Sequence, residues 1–217
     1  MRQRWTDRRE AGRALAAALQ RLAPERPIVL ALPRGGVPVA FEVARALAAP
    51  LDVLLVRKVG APMQKEFGMG AVAEGPIVLM DEALVRMVSP PPGYVEAEIE
   101  RELAEMARRR EHYAGARQRA DVVGRTVLLI DDGIATGGTA RAALRALRER
   151  GAAKVVLAVP IAAPESLARL RTEADEVVCL EAPQRMSAVG NAYVDFSPTA
   201  DAEVVDLLRR AASGDEP

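Results

Sequence analysis

The chain has 217 residues but only one cysteine, Cys179, so it cannot form an internal disulfide. Cys179 lies in the apolar run Val177-Val178-Cys179-Leu180 and is expected to pack there. There is one histidine, His112, late on a charged stretch, with no partner at metal-ligand spacing; it reads as a surface residue. No stretch approaches the ~18 apolar residues of a membrane span. The first ten residues, Met1 to Glu10, are charged and hold no apolar run, so no secretory leader is visible. An excess of either charge is also missing: 30 basic and 30 acidic residues cancel. That argues against a nucleic-acid surface. These absences fit a soluble cytoplasmic protein with no membrane and no nucleic-acid partner. Lysine is scarce too. Only Lys58, Lys65 and Lys154 stand among the 30 basic residues, and two of them share one glycine-bearing stretch.

What is present is a large apolar half, enough for a sizeable core, and a length that suits one domain with a small appendage, residues 1–217. Asp7-Arg8-Arg9-Glu10 reads as a capping box opening a helix to about Leu22, with Pro24 and Pro27 breaking it. Strands are expected at 28–32, 51–56, 71–74, 77–80, 127–130, 154–160 and 176–180. Helices are expected at 37–48, 94–112, 140–150, 164–173 and 201–210. Gly75-Pro76 reads as a hairpin turn. Residues 58–70 hold three glycines, Pro62 and mixed charge, which suggests a mobile loop. The alternation implies an α/β fold: a mainly parallel twisted sheet with helices on both faces. The core spans about 28–180, and an irregular segment, 181–200, precedes the last helix.

The richest stretch is Val127-Leu128-Leu129-Ile130-Asp131-Asp132-Gly133-Ile134-Ala135-Thr136-Gly137-Gly138-Thr139. A buried strand ends in two carboxylates, followed by a glycine- and hydroxyl-rich turn and a helix. Glycines let backbone N–H groups converge on an anion at a helix N-terminus, and Thr136 and Thr139 add donors. Carboxylates cannot help to hold a phosphate. Asp131 and Asp132 therefore suit vicinal sugar hydroxyls or a hydrated Mg²⁺. The turn also reads G-x-x-x-x-G-T, but Thr139 stands where a nucleotide-triphosphate loop needs lysine, so that alternative is poor.

The Asp-Asp-x-x-Ala-Thr-Gly-Gly-Thr run resembles the 5-phosphoribosyl-1-pyrophosphate (PRPP) motif of type I phosphoribosyltransferases, closest to its adenine version. The resemblance implies that Asp131 and Asp132 hold the ribose hydroxyls while Ala135, Thr136, Gly137, Gly138 and Thr139 wrap the 5′-phosphate. Leu32-Pro33-Arg34-Gly35-Gly36 is similar to the family's pyrophosphate loop, which often has a non-proline cis peptide before its basic residue, here Pro33–Arg34. Arg57 and Lys58 match the basic pair after the next strand, where charge would stabilise the leaving pyrophosphate. The stretch behind them then corresponds to a flexible lid that excludes water.

The C-terminal segment around Val189, Gly190, Tyr193, Asp195 and Phe196 resembles the hood of the 6-oxopurine enzymes, where an Asp reaches a metal-bound water. Here Val-Gly to Asp is one residue longer, and Ser187 or Ala188 takes the base-stacking position. Ala135 stands where those enzymes have a general base.

The resemblance implies an enzyme: a phosphoribosyltransferase that moves phosphoribosyl from PRPP to a nitrogenous base with Mg²⁺. Lys58 and Arg34 would be its catalytic residues. No metal ligand is assigned to a protein side chain, because the cation would ride on substrate oxygens and water. PRPP and a small base are the implied partners, and a homodimer is compatible with the family. The rival class is a non-catalytic PRPP or nucleotide sensor. Lys58 favours the enzyme, since a sensor has no leaving group to stabilise.

Overall fold

In the computed structural model, which describes residues 4–75, 77–116 and 120–213, five strands form one wholly parallel sheet. They are β1 (Ile28–Ala31), β2 (Leu51–Val53), β6 (Thr126–Ile130), β7 (Lys154–Ile161) and β8 (Glu176–Glu181), in the order β2-β1-β6-β7-β8. A parallel sheet must be covered on both faces. Alternation along β1 shows how: Val29 and Ala31 enter one apolar cluster, Ile28 and Leu30 the other. The first cluster takes α1 (Arg8–Leu19), α2 (Gly36–Ala46), α4 (Tyr94–Ala114) and α7 (Asp201–Ser213). The second takes α5 (Gly138–Glu149) and α6 (Pro164–Leu170). Asp7 caps α1 as expected, its carboxylate accepting from the Glu10 N–H at 2.8 Å. The expected α/β architecture is therefore the observed one.

A second sheet departs from expectation. β3 (Val56–Ala61), β4 (Gln64–Ala73) and β5 (Ile77–Met80) pair antiparallel, and a short helix, α3 (Glu82–Val88), follows. Most of the stretch read as a mobile loop, 58–70, is thus a β-hairpin. Its glycines serve close approach as much as turning. A Cβ on Gly70 would meet the Leu79 carbonyl at 2.5 Å, and one on Gly60 would meet the Lys65 Cα at 2.8 Å, beside a register shift. Pro76 lies outside the described residues. The strand expected over 51–56 is split, because the chain leaves the parallel sheet after β2 and starts the second sheet at Val56.

Connectivity decides where a ligand fits. From β1 the chain crosses through α2 outward to β2; from β6 it crosses through α5 the opposite way to β7. The loops after β1 and β6 therefore diverge at neighbouring strand ends, which opens a crevice at the carboxyl edge.

Candidate active site

Both glycines of the loop after β1 are forced by what lies across that crevice. A Cβ on Gly36 would sit 2.8 Å from the Ile130 carbonyl, and one on Gly35 would fall inside the Asp132 carboxylate. The loop and the acidic pair are thus fitted to each other, and the Pro33–Arg34 peptide is cis. The Arg34 guanidinium lies 3.8 Å from Asp201, which also accepts from the Tyr113 hydroxyl at 2.5 Å. Gly35→Ala should cost about 1–3 kcal/mol of stability through overpacking. It should also displace Asp132, read by urea denaturation and by a phosphosugar titration. Unchanged stability with unchanged binding would show that the contact is slack.

The Asp131 carboxylate accepts from the Asp132 N–H at 2.9 Å. Burial, reinforced by the neighbouring Asp132 charge, pushes Asp131 well above the usual carboxylate range. Burial also raises Asp132, and Arg8 opposes the shift. The Arg8 Nε donates to Asp132 Oδ2 at 2.8 Å, and the Tyr193 hydroxyl donates to the Asp132 carbonyl at 2.5 Å. A desolvated carboxylate pair gains from any ligand that brings hydroxyl donors.

The turn Ala135–Gly137 is braced from behind. The Ser166 hydroxyl, only 2% exposed as a residue, donates to the Ala135 carbonyl at 2.6 Å, and Arg169 donates to the Thr136 carbonyl at 3.4 Å. Gly137 takes φ +80°, a left-handed conformation that suits glycine, just before α5. With these carbonyls turned toward α6, the N–H groups of Thr136, Gly137 and Gly138 donate to no protein acceptor among the described residues. That is an anion cradle in form.

Lys58 lines a cleft of about 390 Å³ together with Thr136, Gly138, Gly68 and Met69. The hairpin and the cradle therefore face each other. Its neighbour Arg57, read from sequence as a second PRPP contact, goes elsewhere. Successive strand residues point to opposite faces, and the Arg57 Nε pairs with buried Glu102 of α4 at 2.7 Å. The structure thus unites Gly35, Gly36, Asp131 and Asp132 in one crevice and Lys58 with the Thr136–Gly138 turn in a cleft, while the Arg34 guanidinium turns to Asp201 of α7 and Arg57 fastens the second sheet to α4.

The hood is not purely C-terminal. Trp5 and Thr6 run beside residues 192–195: Trp5 N–H to the Ala192 carbonyl at 2.9 Å, Val194 N–H to Trp5 at 2.8 Å and Asp195 N–H to Thr6 at 2.9 Å. Val189 presses on Gly133, where an added Cβ would lie 2.5 Å from its Cγ1. Tyr193 is buried between Trp5 and Phe196. The exposed Asp195 carboxylate accepts both the Ser197 N–H and hydroxyl, at 2.9 and 2.6 Å, and these bonds hold it below the usual range. A cavity of about 570 Å³ under the hood is lined by Ile161, Met186, Ser187, Asn191, Arg4 and Glu181, among others. Cys179 is half-buried, with its thiol pushed up to about 11 by burial, and His112 is exposed.

Sequence reasoning missed Arg8, Ser166 and the Trp5 strap. Arg8 left one trace: a cation in the first turn of a helix, where the macrodipole disfavours it. Among the described residues, no three acidic, histidine or cysteine side chains gather as a metal site, and no helix is long and apolar enough to cross a membrane.

Residues 6–195 match the family model of the phosphoribosyl transferase domain. A Mycobacterium tuberculosis H37Rv protein provisionally named a phosphoribosyl transferase is 48% identical over 205 residues, 94% of this chain. This chain spans only 46% of that protein's length. The crystal structure of TT1426 from Thermus thermophilus superposes with a TM-score of 0.85 at 46% identity, covering 95% of this chain and 98% of that one. A shorter match, 46% identical over 56 residues and 26% of each chain, is to a uracil phosphoribosyltransferase of Pseudarthrobacter chlorophenolicus.

Proposed function

Since the chain belongs to the phosphoribosyl transferase family, we propose that it transfers the phosphoribosyl group of PRPP to a nitrogenous base and releases pyrophosphate. The observation that carries this reading is the shared cleft of Lys58 and the Thr136–Gly138 turn. It sets a cation of the second sheet beside the anion cradle, where a leaving group's charge would grow.

In this reading the 5′-phosphate rests on the N–H groups of Thr136 to Thr139, and the ribose hydroxyls donate to Asp131 and Asp132. Arg34, released from its loose pair with Asp201, and the Gly35 N–H receive the pyrophosphate, while Gly36, whose N–H is spent on the Leu32 carbonyl, allows the close approach. The acceptor nitrogen attacks C1 as the C1–oxygen bond to pyrophosphate breaks, and the departing oxygen keeps the electron pair. Lys58 stabilises that developing charge. The hairpin that carries Lys58 limits water, which would otherwise hydrolyse PRPP.

Mg²⁺ fits as a cation carried by the substrate. Among the described residues the crevice offers the Asp131–Asp132 pair and no third acidic, histidine or cysteine ligand, too few for an all-protein cage, yet enough to hold its coordinated water or the hydroxyls beside it. When bound it neutralises pyrophosphate charge. The hood cavity, which adjoins Ile161 and the Val189–Gly133 contact, suits a planar base on one apolar wall, with Ser187 and Asn191 as polar partners.

The test is a panel of purine and pyrimidine bases with PRPP and Mg²⁺, read by pyrophosphate release. At least one base should give release that depends on both base and enzyme. PRPP binding with no release across the panel would favour a sensor instead.

A further inference from the structure

We propose that Arg8 is a positioning residue for sugar recognition: it holds the Asp132 carboxylate in the crevice and ties it to the hood. This rests on the reading that Asp132 meets ribose hydroxyls. Arg8 occupies the first turn of α1, where a cation gains nothing from the helix. Its side chain is nevertheless 11% exposed and fully engaged. Nε donates to Asp132 Oδ2 at 2.8 Å, a terminal nitrogen donates to the Ser197 carbonyl at 2.8 Å, and the guanidinium lies 4.0 Å from the centre of the Phe196 ring. A planar guanidinium can do all three at once; an ammonium cannot.

Asp132 is held from its other sides as well. The space of a Gly35 side chain is filled by its carboxylate, and Tyr193 binds its carbonyl. No side chain other than Arg8 bonds the carboxylate among the described residues. One oxygen is therefore committed to Arg8, and Oδ1 is left for a ligand donor. Without Arg8 the carboxylate would sit desolvated beside Asp131 with no counter-ion, and it would lose both its orientation and much of its charge.

The test compares two probes, inorganic phosphate and ribose 5-phosphate, titrated calorimetrically into the parent protein, Arg8→Gln and Arg8→Lys. Phosphate alone reads the 135–139 turn; ribose 5-phosphate adds the hydroxyls. The parent should prefer ribose 5-phosphate. Arg8→Gln should lose about tenfold of that preference, the size expected for one charge-assisted bond, while phosphate affinity stays put. Arg8→Lys should recover part of it. Phe196→Leu, which removes the ring but not the ion pair, should keep it, and emission from the single tryptophan, Trp5, checks that the hood is seated.

A parent with no preference overturns the proposal. So does an Arg8→Gln protein that keeps or increases the preference, the latter meaning that Arg8 blocks the site. Equal loss of both probes in Arg8→Gln and Arg8→Lys is general damage and also overturns it. A parent that shows the preference but releases no pyrophosphate with any base removes the transferase reading and leaves the role of Arg8 standing.

Discussion

The Asp131→Asn variant should melt higher than the parent protein while losing its hold on PRPP. Burial raises Asp131 well above its unfolded value, so its ionised form works against folding. The sign follows from linkage. A group with a raised folded pKa contributes its stability fully below the unfolded pKa and loses it as pH rises through the folded one. At neutral pH the parent therefore carries the cost of a desolvated pair, relieved only in part by Arg8 on Asp132. Asparagine keeps an oxygen that can accept from the Asp132 N–H and removes the charge. A gain of about 1 kcal/mol or more is expected, ~2–4 °C in a chain of this size. The gain should shrink as pH falls toward the carboxylate range, where the parent also becomes neutral. PRPP, whose hydroxyls need a charged acceptor, should bind at least tenfold more weakly, a loss of about 1.5–3 kcal/mol. Thermal melts of both proteins between neutral and acidic pH, with and without PRPP, decide it. A lower melting temperature at neutral pH would mean that the pair is not strained by burial.

Lys58→Ala should reduce kcat by about 10²–10³ and leave PRPP affinity nearly intact, because its charge is wanted where pyrophosphate charge develops. The cleft that Lys58 shares with Thr136 and Gly138 motivates this. Arg57→Ala is the internal control. Its guanidinium is taken up by Glu102, so the change should loosen the seat of the second sheet on α4 and lower stability. Steady-state kinetics with an active base, beside direct PRPP titration, separates the two. Equal losses in kcat and affinity for Lys58→Ala would make it a binding residue only. A larger kinetic loss in Arg57→Ala would reverse the roles of the pair.

The two basic residues show why adjacency in sequence is a poor guide to shared function. Arg57 and Lys58 look like one unit until strand geometry turns them to opposite faces. The glycines of 58–70 mislead in a related way. Counted along the chain they suggest a loose loop, but Gly60 and Gly70 are required by backbones and side chains that only the folded hairpin brings near. Asp195, whose likeness to the hood Asp of the 6-oxopurine enzymes comes with a spacing one residue longer, accepts from its near neighbour Ser197.

What is local is legible along the chain: the strand 127–130, the carboxylate pair at its end, the glycine-threonine turn and the capped helices around them. Each is written in consecutive residues whose propensities and hydrogen-bonding capacity act within a few positions. Tertiary structure alone decided which distant groups complete the site. Arg8 reaches Asp132 across 124 residues of chain, Ser166 braces Ala135 from 31 residues away, and Trp5 closes the hood on Tyr193. Such contacts come from sheet order and helix packing, which bring residues together without writing the partner's identity at either end; even the unfavourable cation at Arg8 does not name Asp132.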